Sequence, residues 1–333
     1  MNDFAALTLS QVCENLKTPK NTLVLFHTRP DADAIGSAFA LKLILEAMGS
    51  EVQCICEHEV PQRLAFLTED LQRSVTLKSL DREFEFERCI TVDTASPSQL
   101  GALFEGFEDK LDFMIDHHAN GIPYADYFIR ADYAASGEIV FEIASELVKM
   151  GALDAIPDRA YSLMYAAISS DTGCFKYSNV TEHTHICAAE LLKRGVDASE
   201  INYRLFDCKS EKLLAAEAAG FQNIKFYNDG KIAAVIFPYD LKQKLGLLDE
   251  HLETLVDVAR SVEGVKVAFA VRQYSEDKIF RISIRSSCNV DVASVASVFG
   301  GGGHVRAAGC TIEADSALFA ADLLAAEIMK KLT

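Results

Sequence analysis

No apolar run in this sequence approaches the roughly 20 residues that a membrane span requires. The opening stretch, MNDFAALTLSQVCENLK, has no basic segment followed by an apolar core. Neither a membrane anchor nor a secretory signal is therefore expected, and the chain reads as cytoplasmic. Paired cysteine motifs are missing too. Nine cysteines are scattered, odd in number and never spaced as CxxC, so they read as reduced core residues rather than a disulfide or zinc framework. Cys54 and Cys56 alternate within a strand-like run, so both should face one side of it. Positive charge is short: 32 Lys and Arg stand against 49 Asp and Glu, for a net charge of −17. Such a chain lacks the basic footprint that holds long DNA or RNA. It still accommodates a small phosphorylated substrate, because bound divalent cations reverse local charge. Internal repeats and low-complexity segments are absent as well.

What is present is a chain of 333 residues, half hydrophobic and a quarter charged, enough for about two domains with substantial cores. Residues 23–37, LVLFHTRPDADAIGS, organise the first. A continuous apolar run suits a buried parallel strand. It stops at His27, and Pro30, Asp31 and Asp33 follow before a helical pattern over 34–48. Open α/β sheets place their ligands at such strand ends. Carboxylates two apart on an extended loop point in different directions and can hold different ions. The plainer alternative has Asp33 capping the helix and Asp31 in a turn.

Further along, 51–57 and 88–94 read as strands, the latter ending in Asp93. A helix is expected over 98–104. A strand over 110–115 ends in Asp116, His117 and His118, and an additional strand is expected over 124–129. Helices are expected over 137–150 and from Pro157 to Ser170, the second ending at Asp171. This order predicts an α/β domain with a mainly parallel sheet flanked by helices. After a helix over 182–194 the chain turns to hairpins and helices: a hairpin over 221–238 turning at Asn228-Asp229-Gly230, strands over 265–273 and 278–285, and a helix over 291–299. A glycine run, Gly300 to Gly303, then precedes His304, a short strand over 310–313 and a last helix. The expected division is a catalytic domain over 1–194, a connector over 195–215 and a smaller α+β domain over 216–333.

Three strands thus end in candidate ligands, with His27, Asp31 and Asp33, then Asp93, then Asp116, His117 and His118; Asp171 adds a helix end. Oxygen and imidazole donors together suit Mn²⁺ or Mg²⁺ better than a thiolate-seeking metal. Two such ions about 3.5–4 Å apart would activate water for in-line phosphoryl displacement. Metal-free acid–base work by paired carboxylates ranks lower, because so many converging charges would repel. The other histidines, His58, His183, His185 and His251, are expected on the surface.

HTRPDADAIGS, VDT, DHH and SDTGCF occur in the order and approximate spacing of the four motifs of the DHH phosphoesterase family, which the chain resembles. RISIRSS with GGGGHVRAAG is similar to its DHHA1 partner domain. Within the family, the RecJ-like enzymes of the nano-RNase and pAp (3′-phosphoadenosine 5′-phosphate) phosphatase type are the nearest in pattern. The resemblance implies His27, Asp31 and Asp93 on one Mn²⁺, and Asp33, Asp93, His117 and Asp171 on the other, with Mg²⁺ or Co²⁺ as substitutes. It implies that Asp116 orients a ligand and that His118 lies beside the scissile phosphate; the alternative for His118 is a buried structural ring. The substrate-binding residues it implies are Ser283, Arg285, Ser286, Gly301, Gly302, Gly303 and His304, against the plainer reading of the glycine run as a flexible linker. Gln99 stands where relatives often carry Arg.

The leading expectation is a Mn²⁺-dependent phosphoesterase of short RNA or DNA oligonucleotides and small nucleotides such as pAp. No long nucleic acid and no membrane are expected as partners, and a homodimer is left open. The alternatives are a cyclic or linear dinucleotide phosphodiesterase, a single-strand DNA exonuclease, disfavoured by the acidic charge, and a nucleotide-binding regulator with an inactive site. A pyrophosphatase is disfavoured by the GGGGH run.

Overall fold

The computed structural model describes residues 4–72, 74–80 and 83–332, with the side chain of His304 outside the described set. The chain divides after Cys208 into two compact units.

The first unit runs through α1 (Leu9–Leu16), β1 (Thr22–Phe26), α2 (Ala32–Ala47), β2 (Val52–Ile55), β3 (Arg88–Val92), α3 (Pro97–Leu100) and α4 (Ala102–Phe107). It continues with β4 (Phe113–Asp116), β5 (Asp126–Ile129), α5 (Ser136–Lys149), α6 (Asp158–Asp171), α7 (Glu182–Lys193) and α8 (Ala198–Asn202). Its five strands form one all-parallel sheet in the order β2-β1-β3-β4-β5. Both faces are covered, so β1 and β3 are buried at every position. Val24 and Phe26 pack on one side with α1, α2, α5 and α6, while Leu23 and Leu25 pack on the other with Leu100, Leu103 and Phe107. That two-sided burial is why the sequence reads as unbroken apolar runs rather than alternation. Cys54 and Cys56 lie in the same core, as their alternation indicates.

Close helix packing positions the later site. A Cβ built on Gly36 of α2 would lie 2.5 Å from the Leu163 carbonyl oxygen of α6, and one on Gly137 of α5 would lie 2.6 Å from the Ala167 Cβ. Only glycine permits these approaches. The expected single helix over 98–104 is instead two, broken at Gly101, whose φ of 60° no ordinary residue holds cheaply.

Residues 198–207 are helical, ending in a π-helical turn over Tyr203–Asp207, and Ile201 packs into the first unit's core. The second unit comprises α9 (Glu211–Gln222), β6 (Ile224–Tyr227), β7 (Ile232–Phe237), α10 (Tyr239–Leu245), α11 (Leu255–Arg260), β8 (Val267–Arg272), β9 (Ile279–Ser286), α12 (Val292–Ser297), β10 (Gly302–His304), β11 (Ala307–Glu313) and α13 (Ala317–Met329). Its mixed sheet has the order β10-β11-β9-β8-β7-β6. Phe221 and Gln222 close α9 rather than opening the hairpin, which starts at Ile224. The hairpin turns at Asn228, Asp229 and Gly230, all with positive φ.

The glycine run is also more ordered than a loop. Gly302 and Gly303 pair with Gly309 and Ala308, so the run is an edge strand, and β11 begins at Ala307 rather than near residue 310. A Cβ on Gly303 would meet the Ala307 carbonyl oxygen at 2.5 Å. Both that close approach and its positive φ of 140° demand glycine at 303.

Candidate metal centre

Adjacent strands β1, β3 and β4 all end on the same edge of the sheet, and each delivers polar residues there: His27 after β1, Asp93 after β3, and Asp116, His117 and His118 at the end of β4. Asp31 and Asp33 come from the start of α2, and Asp171 is the last residue of α6. The donors gather into two groups around Asp93. His27 Nε2 lies 3.6 Å from Asp31 Oδ1 and 3.5 Å from Asp93 Oδ2. His117 Nε2 lies 3.7 Å from Asp33 Oδ2, 3.5 Å from Asp93 Oδ1 and 3.4 Å from Asp171 Oδ2.

These separations are too long for hydrogen bonds. They match two donors that share an ion at about 2.1 Å each, which sit roughly 3–3.6 Å apart. His117 Nε2 is buried with no hydrogen-bond partner among the described residues, which is costly for a polar atom unless something else satisfies it. The ion-pair partners of Asp31, Asp33, Asp93, Asp116 and Asp171 are the three histidines. A donor set of crowded carboxylates and imidazoles fits a divalent cation.

The surrounding backbone explains why each donor is aimed inward. Asp31, not Asp33, caps α2: its Oδ1 accepts from Asp33 N and Ala34 N, both at 3.0 Å. That frees Asp33 to turn into the core, where it is fully buried. There Asp33 accepts from Ser136 N at 2.7 Å, Gly137 N at 3.0 Å and Ser37 Oγ at 2.9 Å. Two of those donors are first-turn amides of α5, where unpaired N–H groups and the helix dipole favour a carboxylate. Asp93 sits at φ 55°, a left-handed conformation that Asp tolerates better than most residues and that is common at functional sites. Its amide donates to Ile115 O at 2.9 Å, and its Oδ1 accepts from Ser136 Oγ at 3.0 Å. One residue, Ser136, therefore touches both central carboxylates.

The ring tautomers follow from the same logic. His27 Nδ1 donates to Thr28 O at 2.8 Å and His117 Nδ1 to Tyr133 O at 3.4 Å. A carbonyl can only accept, so Nδ1 of each ring carries a proton and Nε2 is the nitrogen left facing the carboxylates, the atom whose lone pair a cation would take. His118 Nδ1 bonds Asp116 Oδ1 at 2.7 Å and lies 3.9 Å from Asp93 Oδ1.

The electrostatics reflect the crowding. Burial, with the nearby Asp93 and Asp31 charges, pushes the Asp33 carboxyl well above its ordinary value. Burial and the charges of Asp33, Asp31 and Asp93 do the same to Asp171. Asp93 goes the other way: burial opposes ionisation, but the adjacent His27 ring and the positive charges of His117, His27 and His118 hold it far below the usual carboxylate range. Burial lowers His118, but the Asp116 hydrogen bond and the Asp93 charge outweigh it and lift the ring to about 9.

Sequence reasoning did not single out Ser136, Gly137 and Tyr133. A small Ser-Gly pair opening a helix is a weak local signal, and nothing local ties it to Asp33, 103 residues away. Gln99 anchors its own loop, accepting from Ala95 N at 2.5 Å through its side chain, while its carbonyl accepts from Thr28 N at 2.7 Å. Of the remaining histidines, His58 and His185 are exposed, as expected, while His183 and His251 are partly buried. His183 stacks on Tyr133, His185 stacks on Phe175, and His251 Nδ1 accepts from Leu248 N.

In the second unit, Ser283 and Arg285 share a face of β9, opposite small residues: Gly309 and Ala270 flank Ser283, Ala307 and Ala268 flank Arg285. Ser286 takes the next pleat, is buried, and donates to Cys288 O at 3.0 Å, so it does not join them. Ser283 Oγ accepts from Arg272 Nη2 at 2.7 Å. Gly301 precedes β10, Gly302 and Gly303 lie within it, and the side chain of His304 is outside the described residues.

The DHH family model for the N-terminal domain matches residues 21–168, stopping short of Asp171, and the DHHA1 domain model matches residues 230–331. A bifunctional oligoribonuclease and PAP phosphatase NrnA of Thermus thermophilus is 30% identical over 307 residues, 91% of this chain and 87% of its own length. The protein of the same name from Bacillus subtilis is 30% identical over 297 residues, 88% of this chain and 90% of its own. An exopolyphosphatase-related protein from Bacteroides fragilis shares the fold, with a TM-score of 0.87 at 21% identity, covering 97% of this chain and 95% of that one.

Proposed function

The chain belongs to the DHH family and is a phosphoester-hydrolysing enzyme with a DHHA1 domain, and from that premise we propose that it cleaves short oligonucleotides and small phosphorylated nucleotides of the pAp kind with the help of Mn²⁺. The observation that carries this reading is the pair of donor groups that meet at Asp93, His27–Asp31–Asp93 and Asp33–His117–Asp171, with Asp93 Oδ1 3.5 Å from His117 Nε2. His27, Asp31 and Asp93 would hold one cation, and Asp33, Asp93, His117 and Asp171 the other. When bound, two such cations lower the pKa of water and neutralise charge on phosphoryl oxygens.

The chain's own groups would do the rest. Asp33 and Asp93 keep their aim through Ser136, which engages both. Asp116 fixes the His118 ring through Nδ1. His118, one residue from His117, would lie beside the scissile phosphate, where a proton on its ring would offset charge gathering on a phosphoryl oxygen. Ser283 and Arg285, on one face of β9 among glycine and alanine, would bind the rest of the nucleotide, since a guanidinium beside a hydroxyl suits a phosphate. Support for a short substrate comes from the net charge of −17, which disfavours a long polyanion, and from the activity that the two relatives' names state.

A panel of pAp, RNA dimers to pentamers, longer RNA, and cyclic and linear dinucleotides, each with Mn²⁺ and with chelator, tests it. Metal-dependent turnover of pAp and the shortest RNAs is the expected result. Turnover that rises steadily with strand length, or that is confined to cyclic dinucleotides, would replace this reading with an exonuclease or a dinucleotide phosphodiesterase.

A further inference from the structure

Beside the carboxylate-rich centre lies a cluster of different chemistry. Glu138 in the first turn of α5 and His183 and Cys187, one turn apart on α7, bring a carboxylate oxygen, an imidazole nitrogen and a sulfur within 4.8 Å of one another. Glu138 Oε2 is 2.8 Å from His183 Nδ1, and Cys187 Sγ is 3.7 Å from both ring nitrogens. Glu138 and Cys187 are buried, whereas the His183 side chain is 39% exposed. The Glu138 side chain is also held by Ala134 N, which donates to Oε1 at 3.3 Å.

We propose that Glu138, His183 and Cys187 form a third metal site, one for a thiolate-seeking divalent cation of the zinc class, separate from the two cations of the reaction. Its donor set is what sets it apart. The site around Asp93 offers only oxygen and nitrogen, which suits Mn²⁺ or Mg²⁺, while a sulfur ligand selects zinc-like ions. The geometry is close to what such an ion needs. Zinc bonds of about 2.3 Å to sulfur and about 2.0–2.1 Å to nitrogen and oxygen put tetrahedral neighbours roughly 3.3–3.7 Å apart. The sulfur–nitrogen separation is already there. The Glu138–His183 pair must open by about half an ångström, and the half-exposed ring can swing outward to allow it.

The same exposure gives an ion a way in from solvent and leaves a fourth position for water. Binding must displace the thiol proton, because metal ligation requires the thiolate. The His183 ring stacks on Tyr133 at 4.2 Å between centroids, and the Tyr133 carbonyl accepts from His117 Nδ1. One residue therefore separates this cluster from a ring of the Asp93 centre. The proposal does not depend on the substrate assigned above.

Cobalt(II) is the probe, because a thiolate ligand gives it an intense near-ultraviolet charge-transfer band that oxygen and nitrogen donors do not. Titrating the intact, reduced protein in excess Mn²⁺, which competes with cobalt at the Asp93 centre, should produce that band and bring it to saturation, and added zinc should bleach it. Cys187→Ala and Cys187→Ser should abolish it, and His183→Gln, at a half-exposed position that leaves the core intact, should weaken cobalt binding at least tenfold. Asp93→Asn should leave the band in place. No band in the wild-type protein, an undiminished band without Cys187, or unchanged affinity in His183→Gln would each overturn the assignment.

Discussion

His117 Nε2 lies 3.5 Å from Asp93 Oδ1, buried and, among the described residues, without a hydrogen-bond partner. The separation is too long for the two to satisfy each other, and the surrounding carboxylates leave no room for apolar compensation. A cation between them would resolve the geometry, and the placement of Asp93 suits it: its other oxygen faces His27 at 3.5 Å, so the same carboxylate reaches both donor groups.

Asp93→Ala should therefore lose at least about a hundredfold in turnover with saturating Mn²⁺, because several kcal/mol of charge stabilisation goes with the shared carboxylate. Calorimetric titration should show fewer bound ions, with the far-ultraviolet spectrum unchanged. Undiminished activity in metal-replete buffer would sink the assignment of two ions sharing Asp93.

Ser136→Ala removes the hydroxyl that donates to Asp93 at 3.0 Å but keeps the amide that holds Asp33. Groups that orient metal ligands usually cost 10–100-fold in metal affinity when lost. The variant should need about that much more Mn²⁺ for half-maximal rate and recover most of its activity when the metal is raised. A loss that extra metal does not repair would show that Ser136 acts on something other than the ligands.

Gly36→Ala tests the helix packing beneath the site. The added Cβ would stand 2.5 Å from the Leu163 carbonyl oxygen, a backbone atom that cannot step aside alone, and overpacking of this kind costs about 1–3 kcal/mol. Urea unfolding should shift to a lower midpoint with an unchanged slope. Metal affinity should fall as well, because α2 carries Asp33 and α6 carries Asp171. An unaltered midpoint would mean that the helices separate without cost.

Arg285→Ala should reduce kcat/KM about 10–100-fold for pAp and RNA dimers, the scale of a lost charged hydrogen bond. Hydrolysis of bis-p-nitrophenyl phosphate, which carries no nucleoside, should change little. If both substrates suffer equally, Arg285 supports the fold or the chemistry, and the proposed role in nucleotide binding fails.

The sequence by itself determined the local elements and the chemistry available at their ends. Buried parallel strands announce themselves as unbroken apolar runs because burial on both faces is a property of each residue in turn. His27, Asp93, Asp116 and His117 are legible in the sequence as strand-end residues, and the motif spacing carries the family. Only tertiary structure decided who meets whom. Asp171 reaches His117 because α6 packs tightly on α2 and α5, which depends on the absent side chains of Gly36 and Gly137. Ser136 joins Asp33 to Asp93 across more than a hundred residues of chain in one case and 43 in the other. The glycine run became a strand because β11 offered it a ladder, and Ser286 left its neighbours because a strand alternates its faces. His183 keeps one side in solvent and turns the other to Glu138 and Cys187 because α7 lies on α5. Periodicity records how a residue is buried; it holds no information about which distant residue does the burying, and that is fixed only when whole elements find their packing partners.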